Sequence, residues 1–556
     1  MNNKKIWNIK NRDSKNVVKR IIEKRGVGRC YLSDLTDPLD FTDMRAAAEM
    51  VLKSHKICVY GDYDADGLTS TALLVRTLRH VGIQEVGWHI PSRYVSGYGL
   101  NKDDLGMLCR EGYDLIIAVD CGATAVEEVD FVKEQGVDMI VVDHHETEEM
   151  PKCLVIHPGT LPAGHPCKPL AGVGLAFKLA QALVLKGGLR KEMYDWDGSI
   201  LRKVSQLAML GTIADIATLE GENKVLCNIG LREMNKFRSL WVQALCKESG
   251  ITFGDKISGS TISFGFGPRI NAPGRLGDAR WVVDFLCCDE EDKAMALATE
   301  LTDANKERQT IEKEIFESVV AEVESSGAHD AAAIVVASDS WGEKAQGVVG
   351  IVASKVMYKY DKPTVLLHIK DDGLSIGSGR SPAGINLYEA LKCCEDNIET
   401  YGGHAAAAGM SVRTEKVGDL RKSLCDAIAQ QVEEKPERVK EIDIECELSA
   451  EDVSIGLVKE MRALEPCGNG NRQAVFMLTD AEVEEKSVKA IGQNKTHLRF
   501  NIQKDGHKFA CVSWGDADRK DEVKAAGYVD VAFVPDINSF MGKSTVQLIL
   551  EDWKPS

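Results

Sequence analysis

A chain of 556 residues, 44% hydrophobic and 28% charged, has the composition of an ordinary globular protein and is too long for one core, so three or four domains are expected. Its start, MNNKKIWNIK, lacks the apolar core of a signal peptide, and no apolar run approaches the ~20 residues of a membrane span, which points to a cytoplasmic protein without membrane contact. The net charge of −17 weighs against a nucleic-acid partner, since phosphates are bound by Lys and Arg, but residues 433–452 alone carry nine acids against three bases and the total says little about a local groove.

In the first 220 residues short β-branched runs alternate with helical patterns. KICVY (56–60) runs into GDYDADG (61–67) and the helical LTSTALLVRTLRHVG (68–82). DLIIAVD (114–120) precedes TAVEEVDFVKEQG (124–136), and DMIVVDHHE (138–146) follows. This order predicts an α/β domain with a parallel sheet, whose ligands bind at the carboxyl ends of the strands. A helical stretch closes on LAMLGTIADIATLEGENK (207–224), and SFGFGPRINAPGRLGDAR (263–280) reads as glycine-rich turns. Residues 289–327 are charged and free of proline, the pattern of one long helix exposed on most of its circumference. A smaller α/β unit begins at AAAIVVASDSW (331–341), and from about residue 441 five or six short strands suggest a small β-barrel, an OB-fold. The expected domains are 1–240 with an N-terminal extension, 241–328 as connecting turns and long helix, 329–432, and 433–556. The 16 cysteines include no C-x-x-C and read as reduced, mostly buried residues.

GDYDADG places Asp62, Asp64 and Asp66 at alternate positions. Carboxylates crowded on one side raise each other's pKa unless something positive sits between them. Asp120 in VDCG, Asp143, His144 and His145 in VDHHE, and Asp215 in GTIAD each follow an apolar segment and can converge on the same rim. A lone strand-end Asp could merely cap a helix. Together the set points to two divalent ions, which at ~3.5–4 Å separation clamp the attacking and leaving oxygens of a phosphoryl displacement. Carboxylates with some imidazole suit Mn²⁺ or Mg²⁺.

Further along, the glycines and alanines of GGHAAAAG (402–409) leave backbone uncovered, so Gly402, Gly403 and His404 could receive a phosphate at a helix start. GSGRS (377–381) offers the Ser378 hydroxyl and the Arg380 fork. Arg269, Asn271 and Arg275 would line a groove, with Arg93 of PSRYVSGYG as a further cation. In the barrel, Phe500, Phe509, Trp514 and Phe540 lie among Lys495, Arg499 and Lys508, a mixture that suits single-stranded nucleic acid but also fits a core.

In order and spacing, GDYDADG, VDCG, VDHHE and GTIAD resemble the four motifs of the DHH phosphoesterase superfamily. GVVGIVASK (347–355), GSGRS and GGHAAAAG resemble its DHHA1 substrate domain, and GFGPRINAPGRLGDA (265–279) with a terminal barrel is similar to the RecJ branch, the 5′→3′ exonucleases specific for single-stranded DNA. The resemblance implies a DHH domain joined by a long helix to a DHHA1 domain and an OB-fold. It implies Asp64 on one ion, Asp66 on the other, Asp120 as bridge, and His144 and Asp215 completing the second site, with Asp62 where many members have a histidine. Asp143 would orient His144, and His145 would serve the scissile phosphate. Ser378 and Arg380, with Arg93, would take the 5′-phosphate. The partners implied are single-stranded DNA, a single-strand-binding protein and a helicase, acting on a monomer in DNA repair and recombination. Two alternatives stand beside this one: a phosphodiesterase for short oligonucleotides or cyclic dinucleotides, and a non-catalytic replication scaffold.

Overall fold

The computed structural model describes all residues except 1–4, 12–13, 27, 95–96, 187–199, 253–255, 434–440, 493–494 and 541–542. The chain forms two compact units, Leu32–Pro436 and Met1–Tyr31 together with Glu437–Ser556. Strand β1 (Ile6–Asn11) belongs to the second of these and is taken up with it.

The larger unit opens with five parallel strands: β2 (Lys56–Gly61), β3 (Glu85–His89), β4 (Leu115–Val119), β5 (Asp138–Val142) and β6 (Leu154–Ile156), in the order β3-β2-β4-β5-β6. Both faces are covered, which is why β2, β4 and β5 read as continuous apolar runs. Helices Lys102–Arg110 and Val126–Glu134 send Leu105, Leu108, Val129 and Val132 onto Cys58, Tyr60, Ile116 and Ala118. Helices Ala65–His80 and Gly172–Lys186 pack against the sheet as well. All the acidic motifs expected at strand ends lie along the carboxyl edge.

The stretch 263–280, expected as turns, is instead helical: a π-helical segment Thr261–Phe266 continues into an α-helix Gly267–Leu276. Gly267 and Gly274 serve close packing rather than reversal of the chain, so the turn signal misleads. The long helix appears as expected. Glu291–Ser326 spans 36 residues, about 54 Å at 1.5 Å per residue, and buries one stripe from Ala294 through Leu301 and Ile315 to Val323.

Beyond it β7 (Ile334–Ser338), β8 (Thr364–Ile369), β9 (Leu374–Arg380), β10 (Thr400–Gly403) and β11 (Ala407–Arg413) form a mixed sheet ordered β10-β11-β9-β8-β7. Helix Ala345–Tyr360 covers one face, and helices Leu387–Lys392 and Val417–Glu433 the other. GGHAAAAG is not a helix start: it is the β10–β11 hairpin, closed by His404 N–H donating to the Ala407 carbonyl at 2.8 Å. Alanines on an edge hairpin carry the same letters as an alanine helix, and only strand pairing separates the two.

In the smaller unit β12 (Glu441–Glu447), β13 (Val475–Val483), β14 (Lys489–Ile491), β15 (His497–Lys504), β16 (His507–Ser513), β17 (Tyr528–Phe540) and β18 (Lys543–Pro555) join β1 in one eight-stranded sheet, and a β13–β15 pairing closes it. The sequence assigns the N-terminal segment to the first domain; in the structure β1 pairs in parallel with β12 across more than 400 residues of chain, a contact no local signal announces. Phe476, Phe500, Phe509, Phe533 and Trp553 fill the interior, so Phe500 and Phe509 are core. Trp514 is 59% exposed, edge-on to His497, and the Phe540 side chain lies outside the described residues. None of the 16 cysteines is in a disulfide, and only Cys393 is exposed. No helix among the described residues is long and apolar enough to cross a membrane.

One buried ion pair anchors the larger unit. Lys178 Nζ lies 3.1 Å from Glu222 and donates to the Thr36 carbonyl at 2.7 Å, with both charged side chains fully enclosed. We expect Lys178→Met to destabilise the unit by about 3–5 kcal/mol, because Glu222 is left buried and unpaired, and Lys178→Met/Glu222→Leu to recover most of the loss. Denaturant midpoints measure both; a double variant no better than the single would refute the ion-pair account.

Candidate metal centre

The end of β2 delivers Asp62, and the next helix begins three residues later, at Ala65. Asp64 is its N-cap, accepting from Asp66 N–H at 2.9 Å and Gly67 N–H at 3.1 Å through one oxygen. Asp66, on the first turn, accepts from the N–H groups of Gly172 and Val173 at 2.8 Å each, so the start of the Gly172–Lys186 helix points its positive end at this carboxylate. The end of β4 delivers Asp120 with a left-handed backbone (φ 59°), a strained conformation for a non-glycine residue and one that recurs at functional sites. A Cβ on Gly172 would stand 2.5 Å from Asp120 Oδ1, so only glycine admits this carboxylate. The end of β5 supplies Asp143, His144 and His145, and helix Ile200–Ala214 ends at Asp215.

These groups converge. Ligand atoms of Asp120, Asp143, His144 and His145 lie within 4.8 Å of one another, as do those of Asp66, His144 and Asp215, so His144 is common to both sets. His144 Nε2 is 3.2 Å from Asp120 Oδ1 and 3.9 Å from Asp66 Oδ2. The shorter approach lacks hydrogen-bond geometry: Asp120 Oδ1 and Asp62 Oδ1 are buried polar atoms with no partner. Burial, then the charges of Asp66, Asp64 and Asp62, pushes Asp120 well above the usual carboxylate range. Burial and Asp64 do the same to Asp62 and hold Asp66 at about 7. Burial, with Asp66 and Asp64, raises Asp215 to about 8, though its carboxylate is open to solvent, which screens part of that shift. Orphaned oxygens and carboxylates forced toward protonation mark a site suited to divalent cations, and the oxygen-rich donor set with one shared imidazole fits Mn²⁺ or Mg²⁺.

Asp143 does not orient His144, as the motif implies, but His145. Its Oδ1 lies 2.8 Å from His145 Nδ1 and accepts from the His144 N–H at 2.7 Å, while Oδ2 takes the Ala123 N–H. The tight turn after β5 folds the second histidine back over the aspartate. Burial alone would lower His145, but the bond and charge of Asp143 raise it to about 9, while Asp143 falls to about 2 despite its own burial. Burial and the neighbouring His145 bring His144 down to about 4, leaving it neutral with a free lone pair.

Close to the acids lies a group of arginines, Arg93 acting on Asp62 and Arg275 on Asp64. Arg93 lies over the Tyr63 ring at 5.2 Å. Burial and the charges of Arg93, Arg308 and Arg380 lower Arg275 to about 10, and burial with Arg93 lowers Arg380. Arg275 also ties the two α/β bodies together: its Nη1 donates to the Gly347 carbonyl at 3.1 Å, and Tyr94 donates to the Arg275 carbonyl at 2.7 Å. Ser378 and Arg380 sit on β9 facing Gly350, whose added Cβ would be 3.3 Å from Ser378 Oγ and 2.9 Å from Arg380 Nη2. Register places Gly402, Gly409 and Ser378 side by side on β10, β11 and β9, with open space over both glycines and His404 exposed at the hairpin. Two expected groove residues are otherwise engaged. Asn271 Oδ1 accepts from the Ala65 N–H at 2.7 Å, and Arg269 donates to Gly265 and Thr302.

Sequence reading missed three residues. Tyr98 puts its hydroxyl 3.1 Å from His145 Nε2; its setting between two glycines, in SGYG, was a signal. His157 Nε2 donates to the His145 carbonyl at 2.9 Å while its Nδ1 accepts from the Gly159 N–H. Arg308 reaches the arginine group from the long helix, where nothing distinguishes it from its charged neighbours.

Three family models match the chain: the DHH family N-terminal domain over residues 56–212, the DHHA1 domain over 330–430, and the RecJ OB domain over 444–552. Fold and site thus define a DHH-type protein carrying a DHHA1 domain. The single-stranded-DNA-specific exonuclease RecJ of Bacillus subtilis is 35% identical over 548 residues, covering 96% of this chain and 67% of that protein. The same-named protein of Dickeya dadantii is 30% identical, covering 90% and 88%. The crystal structure of RecJ from Thermus thermophilus in complex with Mn²⁺ superposes with a TM-score of 0.80 at 28% identity, covering all of this chain and 80% of that one; its Mg²⁺ complex gives 0.72. The chain belongs to the RecJ family.

The raised carboxylates set a pH dependence. A folded pKa of about 7 for Asp66, above the ~4 of an unfolded carboxyl, means that its contribution to metal-free stability is full below pH ~4 and is lost as pH rises through 7. A divalent ion replaces that proton. The Mn²⁺-induced rise in melting temperature should therefore be larger at pH 8 than at pH 5.5, by differential scanning fluorimetry; an equal rise at both would contradict the cluster's electrostatics.

Proposed function

We propose that this protein is a metal-dependent exonuclease that hydrolyses single-stranded DNA from its 5′ end, in DNA repair and recombination. The observation that carries the reading is the closeness of two groups: buried carboxylates with orphaned oxygens, and beside them Arg93 and Arg275, whose charges act on Asp62 and Asp64, with Arg380 next to Arg93. Asp62, Asp64, Asp66, Asp120, His144 and Asp215 would hold a pair of Mn²⁺ or Mg²⁺ ions, with Asp120 between them. Such a pair, when bound, supplies a clamp on the attacking and leaving oxygens of a phosphoryl displacement.

The rest falls to the chain itself. Asp143 keeps His145 protonated at neutral pH, so the imidazolium can donate to the scissile phosphate or its leaving oxygen, with the Tyr98 hydroxyl 3.1–3.2 Å from both ring nitrogens. Ser378 and Arg380 would grip the terminal 5′-phosphate, Arg93 and Arg275 would neutralise its neighbours, and the bare backbone of Gly402 and Gly409 would let the strand pass close to the sheet. A single-strand-binding protein and a helicase are proposed partners, acting with a monomeric enzyme. Every acidic motif is intact, which speaks against a non-catalytic scaffold.

Single strands labelled at either end, incubated with Mn²⁺, test the polarity: the 5′ label should leave first as a small product. Asp120→Ala should lower the rate by at least ~10²–10³, the scale of one strong electrostatic stabiliser, and a variant keeping a tenth of wild-type turnover at saturating Mn²⁺ would exclude the shared-ion role. Arg380→Ala should shrink the kcat/KM advantage of 5′-phosphorylated over 5′-hydroxyl strands by about 1.5–3 kcal/mol, one charged hydrogen bond. An unchanged ratio would move the phosphate pocket elsewhere.

A further inference from the structure

In the larger unit a cavity of about 690 Å³ lies where helices Gly221–Lys236 and Leu240–Glu248 end and the segment after them turns back. That volume is within the roughly 300–1,000 Å³ of small-ligand pockets. Its wall carries four cations, Lys236, Arg238, Lys247 and Lys256, and no acid among the described residues. In a chain of 85 acids and 68 bases such an excess needs a cause. We propose that this cavity binds a phosphate-chain anion of the nucleoside triphosphate class. None of the residues that line it belongs to the metal centre or to the arginine group beside it.

Lysine in the last turn of a helix ordinarily answers the negative end of the helix dipole, and Lys236 and Lys247 both hold that position. The magnitudes show that this is not enough. Each helix end carries about −0.5 of a charge, so two ends offset about one cation of the four and leave about +3. The end carbonyls are also engaged already: the Phe237 N–H donates to the Glu233 carbonyl at 2.7 Å and the Ile251 N–H to the Cys246 carbonyl at 2.8 Å. Nor do the nearest acids absorb the remainder. Glu233 is buried against Arg202, and Glu248 turns to the long helix, where it accepts from the Thr299 hydroxyl at 3.1 Å. Lys236 lies over the Phe237 ring at 4.8 Å, and among the described residues neither it nor Lys247 nor Lys256 has an ion-pair partner.

The neutral polar groups of the wall are spent on holding it open. Asn235 donates to the Leu231 carbonyl at 3.0 Å and the Ile257 carbonyl at 2.9 Å, and it accepts from the Ile257 N–H at 2.9 Å. Gln243 donates to the Arg238 carbonyl at 2.8 Å, and Arg238 reaches the Thr252 carbonyl at 3.5 Å. Gly250, with φ 68°, makes the left-handed turn that brings the following segment round. The frame thus stands without the lysine ammonium groups, and an anion meets a cavity that is already shaped.

The mixture of cations selects the ligand. An arginine fork takes two oxygens at once, and each ammonium is a compact point charge that takes one or two more. A single carboxylate or orthophosphate can answer only part of such a set, whereas a chain of phosphates presents charge along its length to all four.

Calorimetric titration of the full-length protein with inorganic tripolyphosphate, at physiological salt and without divalent ions that could bridge the anion to the acidic cluster, tests this. Arg380→Ala serves as the parent protein, because the arginine group can hold phosphates of its own. The parent should bind one tripolyphosphate, and adding Lys247→Gln/Lys256→Gln should weaken that binding at least about tenfold, the effect of one charged hydrogen bond. Amide exchange over residues 236–252 should slow on binding in the parent and not in the lysine variant, with equal melting temperatures for the two proteins. Orthophosphate should bind at least about tenfold more weakly than tripolyphosphate. Tighter binding of dATP would make the ligand a nucleotide, and equal binding would make it the phosphate chain alone. If the lysine variant binds tripolyphosphate as its parent does, or if exchange slows only elsewhere, the cavity is not the site. If the two lysine changes in the otherwise wild-type enzyme raise KM for single strands with Mn²⁺ and leave tripolyphosphate binding intact, these cations serve the strand and the proposal falls. None of these titrations depends on whether single strands are hydrolysed.

Discussion

The structure turns on a set of carboxylates that cannot all carry their charge at once. Asp62, Asp66 and Asp120 are almost wholly enclosed, and each is pushed toward its protonated form by burial and by the others. The protein provides partial answers. Asp66 receives two N–H donors from a helix start, Asp143 receives N–H groups and an imidazolium, and Asp64 caps a helix with one oxygen. Asp120 and Asp62 each keep an oxygen without a partner. The remaining compensation must come from cations outside the polypeptide, which makes the acidic cluster, an electrostatic weakness of the bare chain, the source of its affinity for divalent ions.

The parallel sheet is what makes such crowding possible. Three adjacent strands, β2, β4 and β5, end at the same edge, and their hydrogen-bonded spacing of about 4.8 Å brings the side chains that follow them within reach of one another. The two helices that approach from the far side add N–H donors at Gly172 and a carboxylate at Asp215. Glycine at 172 lets a helix start pass close enough to Asp120 to serve Asp66, so the second wall of the cluster depends on a missing side chain as much as on those present.

Much of this was legible in the sequence, because it is local. Strand, acidic loop and helix follow each other within a dozen residues at GDYDADG and VDCG, and strand-end placement implies convergence. What stayed hidden depends on long-range pairing or on which of two neighbours bends back. The partner of Asp143 is His145 rather than His144, a choice made by the turn after β5. Asn271 looked like a ligand for substrate and proved to hold the Ala65 N–H, a contact over 206 residues of separation. Glycines in 263–280 and 402–409 carry no mark that tells close packing from a turn, or a hairpin from a helix start. The parallel pairing of β1 with β12 has no sequence signature at all.

A total charge of −17 does not weigh against the proposed nucleic-acid substrate, because the cations that matter are gathered close to the acidic cluster. Arg275 and Arg380 are held below the usual guanidinium range by burial and by the charge of Arg93, to which Arg308 adds at Arg275, an arrangement unfavourable for cations. Each group repels itself and awaits the other's complement: divalent ions for the acids, phosphates for the arginines. A polyanion threaded between them satisfies the arginines directly, and it satisfies the acids through ions that both can share. Binding of strand and binding of ions are then favourable to each other through charge alone.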